Sequence, residues 1–270
     1  MFPLQLLQAA PRLPLPHIPP IYREGRFPLE AASLVRDPVF RGEGVPRGEG
    51  RPVLLVPGFM AGDGSLAVMT HWLRDLGYRT KSAGIRLNVN CSEVACKGIE
   101  ERLECLTERY GQRVAIVGQS RGGLLARALA VTRPDLVSGI VTLGSPLRSM
   151  FAIHPLVAAQ VGVVSLIGMA GRAGFFRFAC LNGDCCERFR DTMHAPFPDD
   201  VRFVSIYSRS DGIVNWRACL DPDADEHVEV QASHCGMSMH AATYRAVGQA
   251  LGDFARRDGD GEREQYAEAA

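Results

Sequence analysis

Along the chain, short continuous apolar runs alternate with stretches of helical periodicity, a pattern that predicts a mainly parallel sheet of about six strands flanked by helices. The first run, Pro52 to Val56, is of strand length and breaks at Pro57-Gly58. Leu66, Met69, Trp72, Leu73 and Leu76 follow at helical spacing, with Gly77 placed to close that helix. A second strand is predicted near Tyr78 to Ile85, then a helix carrying Ile99, Leu103, Leu106 and Tyr110 on one face and ending at Gly111. Val114 to Gln119 is the next buried run, and Leu124, Leu125, Ala128 and Leu129 behind it form a helical face that stops before Pro134. Val137 to Leu143, Val201 to Tyr207 and His227 to Gln231 supply the remaining strands, and Tyr244, Val247, Leu251 and Phe254 the last amphipathic helix.

The alternation is suspended from about residue 147 to 198, longer than a bare connection between elements. This insertion contains Leu156 to Ala170, apolar nearly all round, then Phe175, Phe176 and Phe178, a group of cysteines and Pro196-Phe197-Pro198. It reads either as a helical lid or as a packed helical subdomain, and its apolar side chains exceed what its own short helices bury.

Flanking the single domain of residues 51–256 are a Pro-, Gly- and Arg-rich arm at 1–50 and a charged tail at 257–270, expected to be disordered. The arm holds one helical candidate, Leu29 to Val35, and no motif. Its first residues are apolar but lack a positive leading segment and run into prolines from Pro11 to Pro20, which argues against a signal peptide and toward a cytoplasmic chain. Thirty basic and thirty acidic residues cancel, and no basic stripe with interleaved aromatics appears, so nucleic-acid binding by charge has no support. Eight cysteines keep export open as an alternative, yet their spacing matches no paired zinc pattern, and neither a metal nor a cofactor is expected.

The candidate chemistry starts at Gly118-Gln119-Ser120-Arg121-Gly122-Gly123, a strand-to-helix turn with a serine boxed between glycines. This is the pattern of a nucleophile elbow, whose tight backbone lifts a serine hydroxyl clear of the sheet. A serine hydroxyl needs a histidine base, and the histidine a carboxylate, arriving in the order Ser, acid, His. Asp211 follows the strand ending at Tyr207, and His234 follows the last strand, so both fall at strand carboxyl ends, where ligand sites of parallel sheets lie. Asp221, Asp223 and Asp225 are rivals in a polar run that reads as a solvated loop. His227 begins its strand, His240 is assigned to the last helix, His71, His154 and His194 precede Asp211, and His17 lies in the arm. Backbone N–H groups of Arg121 and Phe59 are the expected oxyanion-hole donors. Leu156, Val157, Val164, Phe175, Phe176 and Met237, with the Phe59 side chain, are the expected acyl-side wall.

With Pro-Gly-Phe at 57–59, Gly-Gln-Ser-Arg-Gly-Gly at 118–123, Leu-Gly-Ser-Pro at 143–146, Ser-Arg-Ser-Asp-Gly at 208–212 and Ser-His-Cys-Gly at 233–236, the chain resembles the α/β-hydrolase superfamily, and within it the compact bacterial lipases and esterases. Two positions depart from the common pattern: Pro57 and Gln119 stand where histidines are frequent. The resemblance implies a reduced, mainly parallel sheet with a helical lid after the strand that follows the elbow. It implies a serine ester hydrolase acting on small or lipid esters, with transient contact at a lipid surface. An acyltransferase or thioesterase with the same triad, and a binding protein that kept the fold without the chemistry, are the alternatives; a haloalkane dehalogenase is disfavoured because its elbow carries a carboxylate. Cys219 and Cys235, in the two loops that must converge for the triad, are a candidate disulfide, and Cys91 and Cys96 a second, local one.

Overall fold

The computed structural model describes residues 18–268; His17 and the proline-interrupted start of the arm lie outside them. Six strands, β1 (Pro52–Val56), β2 (Arg79–Ser82), β3 (Val114–Gln119), β4 (Val137–Leu143), β5 (Arg202–Tyr207) and β6 (Glu226–Glu229), form one sheet in the order β2-β1-β3-β4-β5-β6. Every pairing in it is parallel. β1, β3 and β4 are buried along their whole length, which is why they read as unbroken apolar runs. The edge strands β2 and β6 are short and largely exposed, so their sequence signal is weak.

Residues of each strand alternate between two cores. Val53 and Leu55 of β1 and Ala115 and Val117 of β3 join one core; Leu54 and Val56, with Val114 and Ile116, join the other. On the first face pack α1 (Phe27–Arg36), α2 (Ala67–Asp75) and α8 (Ala241–Glu268), meeting through Leu34, Trp72, Tyr244 and Phe254. On the second pack α3 (Ser92–Tyr110) and α4 (Arg121–Thr132), through Ile99, Leu103, Leu125 and Leu129. Each fully buried large side chain of this kind contributes about 1.5–3 kcal/mol of transfer free energy.

Two expectations about the ends need correction. The N-terminal segment is core rather than cover: Leu34 and Val39 are fully buried, and Val39 accepts a 2.8 Å hydrogen bond from the Trp72 indole. At the other end α8 continues through residues 257–268, where glycine and charge suggest a disordered tail.

Between β4 and β5 the chain makes α5 (Pro155–Met169), α6 (Phe178–Asn182) and α7 (Glu187–Thr192). This insertion is anchored near its start and at its middle. Ile153 pairs with Val214, and His154 N–H bonds Ile213 O at 2.7 Å, beside the Asp211 loop. Farther along, Phe176 N–H bonds Val89 O at 2.8 Å, in the loop before α3. α5 buries Val164, Ser165 and Gly168 and leaves Leu156, Val163, Leu166 and Met169 exposed.

Candidate active site

The chain goes from β1 out to the β2 edge, then returns to place β3 on the other side of β1. Loops leaving the carboxyl ends of β1 and β3 therefore diverge and open a crevice, the position at which parallel α/β sheets bind ligands. Gly58-Phe59 leaves β1 there, and Ser120 leaves β3.

Ser120 has φ 51° and ψ −119°, a left-handed conformation unusual for a residue with a side chain. The glycines around it are dictated by contact. A Cβ on Gly118 would lie 2.6 Å from backbone atoms of Gly122 and Gly123, and one on Gly122 would lie 2.2 Å from Val56 O. The turn thus presses α4 against β1 and β3, and tertiary packing holds the strain. Ser120 N–H is fixed by Leu143 O at 2.8 Å, and Gly58 sits against the serine: a Cβ on it would lie 3.2 Å from Ser120 Cβ.

His234 and Asp211 are both buried and joined by a 2.7 Å Nδ1···Oδ2 hydrogen bond. The second oxygen of Asp211 accepts N–H bonds from Ile213 at 2.8 Å and Val214 at 2.7 Å, which aims the carboxylate at the ring. Burial works to lower the imidazole pKa, but the charge and hydrogen bond of Asp211 outweigh it, and the net shift is upward from 6.5. Gly144, just past β4, lies against the pair: a Cβ there would stand 3.1 Å from Asp211 Oδ2 and from His234 Nδ1. Gln119, the residue before Ser120, donates to His234 O at 3.2 Å. The glutamine at a position where histidine is frequent thus ties the serine turn to the histidine loop.

Two carboxylates of the N-terminal segment complete that loop, and no sequence signal marked them. Glu24 Oε1 accepts from Gly212 N–H and from His234 N–H, and Oε2 from Cys235 N–H, each at 2.9 Å. Glu30 is buried and accepts from Ser233 N–H at 2.8 Å and Ser233 Oγ at 2.6 Å. The loops carrying Asp211 and His234 are clamped by Glu24, and the candidate Cys219–Cys235 disulfide is absent: Cys219 is a buried free thiol and Cys235 an exposed one. Cys91 and Cys96 are also unbridged.

The rival acids have another occupation. Asp221 is buried rather than solvated and pairs with Arg127 Nε at 2.9 Å, while Asp223 takes Arg127 Nη2 at 2.8 Å. Asp225 accepts Phe203 N–H at 2.7 Å. Among the histidines, His227 bonds Asp221 O at 2.9 Å, His154 caps α5, and His71 and His194 are exposed. His240 precedes α8 instead of lying in it.

Beside Ser120 opens a largely apolar cleft of about 110 Å3. Phe59, Val157 and Phe176 line it as expected, with Met150, Phe151, Ile153, Val161, Leu181 and Phe189 added by the insertion and Ile213 by the loop of Asp211. The other four expected wall residues are elsewhere. Leu156 points outward at 59% exposure, because neighbours on a helix face about 100° apart. Val164 is buried against Val89 and Phe176, Phe175 belongs to a separate cleft under residues 84–90, and Met237 is core beneath Gly144. The Arg121 guanidinium reaches the loop before α3, donating to Asn88 Oδ1, to Asn90 O at 2.6 Å and to Ser92 Oγ at 3.1 Å.

No family model and no curated protein sequence matches this chain. Solved structures do. A lipase of Bacillus licheniformis in its mature form is 15% identical with a TM-score of 0.53, covering 75% of this chain and 92% of its own. A metagenomic carboxyl esterase is 15% identical with a TM-score of 0.55, covering 91% and 92%. A monoacylglycerol lipase of Paleococcus ferrophilus is 18% identical with a TM-score of 0.50, covering 78% and 97%.

Proposed function

We propose that this chain, which has the α/β-hydrolase fold, is a serine carboxylic ester hydrolase for esters with hydrophobic acyl groups. The observation that carries the reading is the buried Asp211–His234 pair, hydrogen-bonded at 2.7 Å and tied through Gln119 to the strained Ser120 turn at the mouth of an apolar cleft. In this reading Ser120 Oγ attacks the ester carbonyl carbon and passes its proton to His234 Nε2. Backbone N–H groups of Arg121, in the first turn of α4, and of Phe59 stabilise the developing oxyanion. Collapse of the tetrahedral species expels the alcohol, protonated by His234, and leaves an acyl group on Ser120. Water, deprotonated by His234, releases the acid and regenerates the serine. Asp211 keeps Nδ1 protonated throughout and offsets the imidazolium charge.

Covering of the site by α5–α7 accounts for the acyl preference: the wall is mostly contributed by the insertion. Initial rates on nitrophenyl esters from acetate to palmitate test the proposal, together with fluorophosphonate labelling of wild type and Ser120→Ala. Saturable hydrolysis with labelling that depends on Ser120 supports it. Acyl transfer to an added alcohol or thiol in preference to water would instead identify a transferase, and absence of both activity and labelling a binding protein.

A further inference from the structure

Four cysteines far apart in sequence meet outside the catalytic groups. Cys91 precedes α3, Cys180 lies in α6, and Cys185 and Cys186 sit in the turn before α7. Their four sulfur atoms all lie within 4.8 Å of one another, with Cys91 3.3 Å from Cys186 and 3.7 Å from Cys185, and Cys180 3.4 Å from Cys185. We propose that these four sulfurs bind a single zinc ion that staples the insertion to the core.

The geometry has the size of a tetrahedral tetrathiolate site. Zinc–sulfur bonds of about 2.3 Å place the corners of the tetrahedron about 3.8 Å apart, within the range seen here. The spacing suits one ion rather than a cluster, in which cysteines on different metal atoms stand farther apart. Soft thiolates in a tetrahedron select zinc over the hard divalent cations. The donors are also supported: Arg177 N–H is directed at Cys180 Sγ at 3.5 Å, and Cys91 stands at the amino end of α3. Such N–H···S bonds and the amino end of α3 stabilise thiolate charge. On binding, each thiol would lose its proton to solvent, so four thiolates and one divalent ion carry net charge −2. The Arg121 guanidinium, half-buried and held by Asn90 and Ser92 on either side of Cys91, is a countercharge beside the cluster.

The sequence spacing concealed this site because its ligands come from three separate segments. Its position gives it a structural role. The insertion is anchored by backbone pairing near residues 148–154, while its later part, which supplies Leu181 and Phe189 to the cleft, reaches the core through Phe176, through Phe189 and Met193 packed on the second core, through Arg127 bonded to Thr192 O and Ala195 O, and through this cluster.

The test is metal analysis of the full-length chain, purified without chelator, then reduced, incubated with zinc sulfate and desalted. About one zinc per chain is expected, with four of the eight cysteines shielded from a thiol reagent under native conditions until EDTA is added. Cobalt(II) in place of zinc should give the intense visible absorption of a tetrahedral tetrathiolate. Cys180→Ser and Cys185→Ser should each lower retained zinc at least about tenfold, whereas Cys105→Ser, at an exposed position on α3, should leave it unchanged. Zinc retained at less than about a tenth per chain by the reduced wild-type protein overturns the proposal. So does peptide mapping of freshly isolated, unreduced protein that finds disulfides among Cys91, Cys180, Cys185 and Cys186, or iron in place of zinc.

Discussion

Glu24 holds the backbone of His234 across 210 residues of sequence: its carboxylate accepts the His234 N–H at 2.9 Å, and the same oxygen takes Gly212 N–H from the loop of Asp211. One side chain from the N-terminal segment thereby sets the distance between the acid loop and the base loop. Glu24→Ala leaves three N–H groups without their acceptor, each worth about 1–3 kcal/mol if water cannot replace it. Ester hydrolysis should lose about tenfold or more in kcat with little change in KM, because misplacement affects the reacting groups and not the acyl pocket. Steady-state kinetics on one nitrophenyl ester check this; an altered KM at unchanged kcat would disprove the positioning role.

Ser120→Ala should abolish hydrolysis, by about 10^4-fold or more, while thermal stability is kept or raised, since the residue is half-buried and held at φ 51°. Asp211→Asn should lower kcat by about 10^3–10^4-fold, since the amide no longer favours the required imidazole tautomer. Thermal melts beside each rate separate lost chemistry from lost folding.

Asp221 offers the converse case. Its carboxylate lies buried against Arg127, so Asp221→Ala strands a buried cation that Asp223 pairs only in part. The expected loss is about 3–5 kcal/mol of stability, with kcat near wild type for whatever fraction remains folded. Denaturant titration with active-site labelling measures both. A folded, stable Asp221→Ala protein without activity would move the acid from Asp211 to Asp221.

In the proposed mechanism His234 must be neutral to act as a base, and its pKa is raised above 6.5 by Asp211 in spite of burial. The acid limb of kcat/KM should therefore have its midpoint above 6.5 and rise with pH to a plateau. A raised folded-state pKa also means that this histidine's stabilising contribution is full below 6.5 and is lost as pH rises through the folded value. Rates from pH 5 to 9, checked against imidazole titration by NMR, test both signs.

Val157 and Leu156 are neighbours on α5 with opposite surroundings, one lining the cleft and one 59% exposed. Val157→Trp should shorten the preferred acyl chain, since each methylene excluded from the pocket forfeits about 0.8 kcal/mol. Leu156→Ala should leave the chain-length profile as it is. Equal effects from both would show that α5 does not line the acyl site.

What the sequence determined by itself is local. The runs ending at Val56, Gln119 and Leu143 announced the central strands because a strand buried on both faces must be apolar throughout. Gly118, Ser120, Gly122 and Gly123 announced the elbow because its close backbone contacts exclude a Cβ. Asp211 and His234 followed from chain order and strand ends. Tertiary structure decided what depends on partners distant in sequence: Glu24 and Glu30 reach loops some two hundred residues away, and Asp221 is claimed by Arg127. Which side of α5 faces the cleft was also beyond reading, because a helix apolar all round carries no periodicity to orient it. The same holds for Cys91, Cys180, Cys185 and Cys186, whose convergence is a property of the fold and leaves no pattern in their spacing.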